Sequence, residues 1–401
     1  MSAGISLDAA LAQVTARDWR PIALAEPVPV ARLPTPALLL DEVAFERNLA
    51  RMAAFLGERG KQLRPHAKTH KCPLIARRQL DLGAAGICVA KVAEAAVMVR
   101  AGIDRVLVTS PVTSPDKARL LASLACATTR LDVAVDSHAG LEALAAAAAA
   151  ADVHVGVLVD VDVAMGRTGV REGDAVHRLA EAAAAAEGLE FRGLQHYAGH
   201  VMHVHGHAER RSRSLALWES VQALVERLTA RGLVPEVVTG GGTGTYDIDC
   251  EVAEITDLQV GSYIFMDQEY RLIGGRGGAT FDDFEVALEV AAAAISQPVS
   301  GAVTVDGGFK AFASDTVAPA PRTEPEAKFR FAGDEHGVVI PGAGSDFGAR
   351  LQRRDPGELG RIHRFIAPHC DPTVNLYDWY WICRDGMATA MWPIAARGCS
   401  W

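Results

Sequence analysis

The sequence has no C-x-x-C pair, no run of like charge, no basic stripe and no G-x-G-x-x-G turn after its first barrel-type strand. Each absence narrows the field. Its 7 cysteines, odd in number and scattered, read as reduced thiols in a cytoplasmic protein. A formal net charge of −9 without a basic stripe leaves nothing to track a phosphate backbone, so nucleic acid is not an expected partner. The apolar stretches, such as "LEALAAAAAAAD" and "LAEAAAAAEGLE", owe their hydropathy to alanine and are too polar at their edges to span a bilayer, so no membrane partner is expected. The opening "MSAGISLDAALAQVTARDW" lacks the basic and then apolar regions of a signal peptide. No low-complexity linker interrupts the chain.

What is present is an alternation of short β-branched runs with alanine-rich helical stretches. Between residue 62 and about 267, 8 strand candidates can be counted: "KQLRPHA", "GICVA", "RVLVTS", "LDVAVDS", "VHVGVLVDVDV", "FRGLQHY", "EVVTGG" and "LQVGSYIFM". Repeated β-α units of this number predict an α/β fold, a (β/α)8 TIM-type barrel, over an open doubly wound sheet. After residue 281 the texture changes to Gly- and Pro-rich, alternating runs such as "GRIHRFIAPH" and "YDWYWICRDG", which predict a second, mainly β domain. The expected division is a barrel over 36–280 and a β domain over 1–35 and 281–401.

Barrel chemistry sits at the C-terminal ends of strands. There "QLRPHAKTHK" gathers His66, Lys68, His70 and Lys71. Cationic neighbours lower a lysine's pKa, and Lys68 then becomes an amine able to form a Schiff base; Lys91, after the second strand, is its rival. In "VTGGGTGTYD", Gly241, Gly242 and Thr243, with Thr245 close by, can close around a phosphate after the seventh strand. A reactive lysine and a phosphate cradle at one barrel mouth suit pyridoxal 5'-phosphate. Arg167, near Asp160 and Asp162, offers a donor fork to the cofactor or to a substrate carboxylate. "LQHYAGHVMHVHGH" supplies His196, His200, His203, His205 and His207, one of which is a candidate base and most of which are structural or solvated. In "APHCDPTVNLYDW", His369 and Asp371, two apart on an extended segment, project to one side and can grip a divalent ion with Cys370 facing away; that donor pair favours Mn or Mg, with Zn as a compromise.

With those pieces in order, the chain resembles the D-threonine aldolase and D-serine dehydratase group of alanine-racemase-like, fold-type III pyridoxal phosphate enzymes. The resemblance runs from "TPALLLDEVAFERNLARM" through "RPHAKTHK", "GRTGV", "GGGTGTY" and "GSYIFMD" to "DEHGVV", "PHCDPTVNLYDWY" and "WPIAARG". It implies that Lys68 rather than Lys91 carries the cofactor. The arginine of the family's G-x-x-R-x-G element falls on Arg167, and its Y-x-G-x-x-x-H element on Tyr197 and His203, which becomes the expected base. Met202 stands where the family often has Gln. Gly261, Ser262 and Tyr263 of "GSYIFMD" join the expected cofactor contacts, and the metal pair falls on His369 and Asp371. The family's architecture implies a β domain that also takes the N-terminal strand, and a homodimer with active sites near the subunit interface.

The implied activity is retro-aldol cleavage of a D-3-hydroxy amino acid of the D-threonine type to glycine and an aldehyde. Two alternatives use the same parts. A 3-hydroxy-D-aspartate aldolase, giving glycine and glyoxylate, would need a further cation from His66, His70, Lys71 or Arg271. A D-serine or D-threonine dehydratase would yield a 2-oxo acid and ammonia, and the H-x-D rather than H-x-C metal pair weighs against it. A racemase would gain nothing from a metal, and a pyridoxal phosphate carrier would lack the second domain.

Overall fold

The computed structural model describes residues 18–171, 173–299 and 301–401. Residues 1–17, assigned above to the β domain, lie outside the described residues. The chain divides into two units, one built from Ala50–Gly261 with Gly398–Trp401 and the other from Trp19–Leu49 with Ser262–Arg397.

The described chain opens with β1 (Ile22–Pro29) and β2 (Ala37–Asp41), both in the second unit. The first unit then supplies β3 (Gln62–Leu63), β4 (Ile87–Val89), β5 (Arg105–Val108), β6 (Arg130–Val135), β7 (Val155–Val161), β8 (Leu189–His196), β9 (Val237–Gly240) and β10 (Asp257–Leu258). These pair in the order β3-β10-β9-β8-β7-β6-β5-β4, every pair parallel. A further parallel bridge between His66 and Cys88 joins β3's continuation to β4, and the ring closes. This is the eight-stranded barrel that the alternation predicts.

Local chemistry explains the elements. β7, "VGVLVDV", is buried along its whole length, as a strand covered on both faces must be. The alanine-rich helix His138–Ala151 starts where Ser137 Oγ accepts the Gly140 amide at 3.3 Å, and stops at Asp152 in the left-handed region at φ 53. It turns Leu141, Leu144, Ala147 and Ala148 inward, one helical face of a run that looks uniform in composition.

The second unit continues with β11 (Leu288–Ser296), β12 (Val303–Val305), β13 (Ala320–Pro321), β14 (Lys328–Phe331), β15 (Gly337–Ile340), β16 (Ile362–Ile366), β17 (Trp379–Arg384) and β18 (Met387–Pro393). The main path runs β1-β18-β17-β2-β11-β12-β15-β14, with β16 joined to β11 and β13. β17 and β18 form a hairpin whose two-residue turn, Asp385-Gly386, has φ 50 and 74, the Asp-Gly geometry that matches strand twist.

The expected boundaries shift. Residues 37–49, placed with the barrel above, fall in the second unit because the eight barrel positions are filled without β2, which instead pairs with β11 and β17. Residues 262–280 move likewise: Asp267 Oδ1 accepts the Tyr270 amide and starts the helix Gln268–Leu272, and its Oδ2 accepts the Cys370 amide at 2.9 Å. Among the described residues no helix is long and apolar enough to cross a membrane.

Candidate active site

Beyond Leu63 the chain runs buried to His66 and turns through Ala67–His70. Lys68, half-buried on that turn, lines a cavity of about 200 Å³ with Arg167, Thr168, Gln195, Tyr197 and Gln259. Lys91 is exposed at the start of the helix Val92–Arg100. The rest of the basic run is committed elsewhere. Lys71, at φ 53, pairs through Nζ with Glu94 Oε1, both side chains buried. His70 is buried, and its Nδ1 accepts the Cys72 amide at 3.1 Å. His66 meets Thr109 Oγ1 through Nε2 at 3.1 Å. Of the expected cationic neighbours, Lys71 is taken by Glu94 and His70 Nδ1 by a backbone amide, while His66 lines the same cavity as Lys68.

Below Lys68 lies a string of polar side chains that sequence reasoning missed. Gln195 Nε2 donates to Asp160 Oδ1 and to Thr109 O, each at 2.9 Å, and its Oε1 accepts from Gln259 Nε2 at 3.3 Å. Gln259 also donates to Thr239 Oγ1 at 3.3 Å, Thr239 to Asp257, and Arg64 to both Asp257 oxygens at 3.2 and 3.3 Å. Thr168 Oγ1 donates to Asp160 Oδ2 at 2.7 Å. Burial raises the Asp160 carboxyl above its ordinary range, against the hydrogen bonds from Gln195 and Thr168. Each amide is thereby fixed in orientation. The one signal in the sequence was a lone amide or hydroxyl at the end of an otherwise apolar strand.

Arg167 is exposed, with Cζ 5.1 Å from the Tyr197 ring centroid, and its charge acts on the Asp160 carboxyl, opposing the effect of burial there. Asp162 instead accepts the Gly166 amide at 2.9 Å and pairs with Arg171 at 2.6 Å. Ala164 stands where the family element has its first glycine, and its φ of 66 shows why glycine suits that place. Gly199 is needed for another reason: a Cβ there would lie 2.7 Å from the Tyr197 ring.

The glycine turn after β9 is buried throughout. Its glycines are dictated first by protein packing. A Cβ at Gly242 would lie 2.7 Å from Met202 Sδ, one at Gly244 2.1 Å from Met202 O, and one at Gly241, whose φ is 69, 2.6 Å from Asp249 Oδ2. Asp249, fully buried, accepts Ser214 Oγ at 2.5 Å, Trp218 Nε1 at 3.1 Å and Thr245 Oγ1, and so fixes the far end of the turn. Among the described residues, the amides of Gly241, Gly242 and Gly244 find no acceptor in the protein. Three buried N–H groups without a protein partner are what an anion site offers. Gly261 follows β10 with its Cα face against Thr69, where a Cβ would meet Oγ1 at 2.4 Å. Ser262 and Tyr263 are buried in the short helix Ser262–Ile264 of the second unit, the Tyr263 ring 5.7 Å from that of Phe284.

The five histidines separate. His196 is buried and stacked on Trp218 at 3.8 Å, and burial pushes its pKa down to about 4. His207 Nε2 meets Asp247 Oδ2 at 2.9 Å. His200 and His205 are exposed, and His203 is half-buried between Met202 and Val204.

His369 and Asp371 do not lie on an extended run, which corrects that expectation. His369 precedes and Asp371 belongs to the short helix Cys370–Val374, started by the Cys370 amide on Asp267 and by Thr373 Oγ1 on His369 O at 2.7 Å. The two still act on one another. Burial disfavours the His369 imidazolium, but Asp371, Asp267 and Asp315 outweigh it and hold its pKa above the ordinary value. Glu269 Oε2 adds a fourth carboxylate at 3.8 Å. A wider groove of about 710 Å³ crosses the second unit near Thr323, Arg361 and Arg364, but those arginines are paired with Glu289, Glu324 and Glu358.

The alanine racemase N-terminal domain model matches residues 40–269, and a serine dehydratase domain model matches residues 287–383. D-threonine aldolase of Arthrobacter sp is 38% identical over 95% of this chain and 98% of that protein. 3-Hydroxy-D-aspartate aldolase of Paracoccus denitrificans (strain Pd 1222) is 36% identical over 92% and 93%. D-threo-3-hydroxyaspartate dehydratase of Delftia sp. is 30% identical over 77% and 80%. The crystal structure of D-threonine aldolase from Filomicrobium marinum superposes with a TM-score of 0.87 at 37% identity, covering 95% of this chain and 100% of that one. The chain belongs to the alanine-racemase-like family, in its D-threonine aldolase branch. It is accordingly an enzyme, a pyridoxal-phosphate-dependent lyase.

The aldolase-branch residues fit the group that this family implies. The orphan amides at Gly241, Gly242 and Gly244 match a phosphate, and a primary amine and a guanidinium line the barrel cavity. In the second unit, among the described residues, no three His, Cys, Asp or Glu side chains are grouped to hold a metal, and an ion on His369 and Asp371 would need further oxygen ligands.

Proposed function

We propose that the protein cleaves D-3-hydroxy amino acids of the D-threonine type to glycine and an aldehyde. The observation that carries the reading is the pairing, at one barrel mouth, of Lys68 in a polar cavity with a glycine turn holding three partnerless buried amides. Lys68 is the covalent anchor of the cofactor. The amides of Gly241, Gly242 and Gly244, with Thr243 and with Gly261, Ser262 and Tyr263 as further contacts, hold its phosphate. Arg167 and Tyr197, which line the same cavity, would be further contacts to the cofactor. Pyridoxal phosphate, when bound, supplies the sink for the electron pair left at Cα. A divalent ion, Mn or Mg, held by His369 and Asp371 supplies Lewis acidity toward the substrate's 3-hydroxyl. His203 takes the hydroxyl proton as the Cα–Cβ bond breaks. In this reading the barrel binds the cofactor, the β domain binds the metal, and two copies form a homodimer in the cytoplasm. The seven unpaired cysteines are consistent with that compartment.

A 3-hydroxyaspartate substrate would need a cation for its second carboxylate: Lys71 is bound to Glu94 and His70 is buried with Nδ1 accepting a backbone amide, whereas Arg271 meets Gln268 Oε1 at 3.4 Å. The dehydratase reading rests on the more distant relative. Product analysis with D-threonine, pyridoxal phosphate and Mn tests the proposal: glycine and acetaldehyde support it, whereas 2-oxobutanoate and ammonia replace it with the dehydratase. Faster turnover of 3-hydroxy-D-aspartate than of D-threonine would overturn the substrate preference.

A further inference from the structure

Arg210, in the first turns of the helix His207–Ala230, has no solvent exposure. Its Nε donates to Gly244 O at 2.7 Å and its Nη1 to Val204 O at 2.7 Å. These carbonyls belong to different loops. Gly244 lies in the turn after β9, and Val204 directly follows His203. The same loops touch at Met202, whose Sδ lies 3.5 Å from Thr245 Oγ1 and whose carbonyl oxygen excludes any side chain at 244.

A cation near a helix N-terminus opposes the helix dipole, and burying it adds a desolvation penalty. A leucine or methionine would fill the same space without either cost. What they lack is a planar fork whose donors read two carbonyls at a fixed angle. The Gly244 carbonyl shares its planar peptide unit with the Thr245 amide, which donates to Gly242 O at 3.1 Å, so holding the carbonyl fixes that peptide plane and through it the Gly242–Thr245 turn.

We propose that Arg210 is a positioning residue that couples the cofactor turn to the loop bearing His203, so that seating the phosphate and placing the base become one event. This rests on the assignments of the glycine turn and of His203 made above. A shift of either loop changes the other through a rigid guanidinium rather than through flexible packing.

Arg210→Lys keeps the charge and removes the fork. In the full-length protein, the Kd for pyridoxal phosphate, read from visible absorbance as the apo form is titrated, should rise about tenfold, and kcat of the loaded enzyme should fall about tenfold, the weight of one charged hydrogen bond. KM should change far less than kcat. Coupling is read from a double-mutant cycle with His203→Ala, in which the joint loss of kcat should be smaller than the product of the single losses. Kd and kcat both near wild type in Arg210→Lys overturn the proposal, as do multiplicative losses in the cycle. Near-wild-type turnover in His203→Ala removes the base assignment and the coupling with it; the cofactor titration, which needs no turnover, tells this apart from a failure of Arg210 itself. If circular dichroism finds Arg210→Lys unfolded, Met202→Ala loosens the same contact without touching the buried charge: a joint change of Kd and kcat supports the coupling, and a change in neither overturns it.

Discussion

His369 Nδ1 lies 2.7 Å from Asp315 Oδ2, across 54 residues of sequence. A carboxylate on one imidazole nitrogen fixes the ring's orientation and leaves Nε2 as the nitrogen available to an ion. With His369 as the proposed metal ligand, Asp315→Asn should weaken Mn binding by about tenfold, the usual cost of removing such a partner. Isothermal titration with Mn checks this directly, and an unchanged affinity would remove Asp315 from the metal site. The absorbance of bound pyridoxal phosphate should not move.

Lys71 and Glu94 form a buried pair, and Glu94 Oε2 also accepts the amides of Ala90 at 2.9 Å and Lys91 at 3.1 Å. Removing one member strands the other charge. Glu94→Ala should cost about 3–5 kcal/mol in urea unfolding, and adding Lys71→Met should recover a large part of it. A double variant as unstable as the single one would show that the pair's charge is not what matters.

At Gly244 an added Cβ meets the carbonyl oxygen of Met202 at 2.1 Å, and a backbone atom cannot swing away as a side chain would. Gly244→Ala should lower the thermal midpoint and weaken pyridoxal phosphate binding together. Gly277→Ala, where nothing lies within 4 Å, is the control and should leave both unchanged. Equal behaviour of the two variants would contradict the packing argument.

His363 on β16 is fully buried among Phe347 and Phe365, and burial pushes its pKa down from 6.5 to about 4, opposed by Glu358. Between those values the unfolded chain binds the proton and the folded chain does not, so stability falls as the pH drops from 6.5 toward 4 and is fully present above 6.5. The contribution is about 3 kcal/mol across that window. His363→Phe should flatten that part of the stability-against-pH curve measured by urea midpoints. An identical slope in the variant would mean that other groups carry it.

The sequence by itself determined the architecture and nominated the residues of the candidate site. Strand periodicity, alanine-rich helices with one inward face, and the texture change near residue 281 are local patterns, and each element reads its own stretch of chain. Lys68 with its rival Lys91, Arg167 and the glycine turn stood out because barrel strand ends collect chemistry, and the family resemblance chose Lys68 between the two lysines. Tertiary structure decided what depends on distant partners. Glu94 takes Lys71 out of the basic run, and Trp218 takes His196 out of the histidine run. Met202 and Asp249 explain why 241, 242 and 244 must be glycine, and β11 and β17 draw β2 out of the barrel. A side chain's charge, room and neighbours are set by residues tens to hundreds of positions away, and no local periodicity encodes that distance.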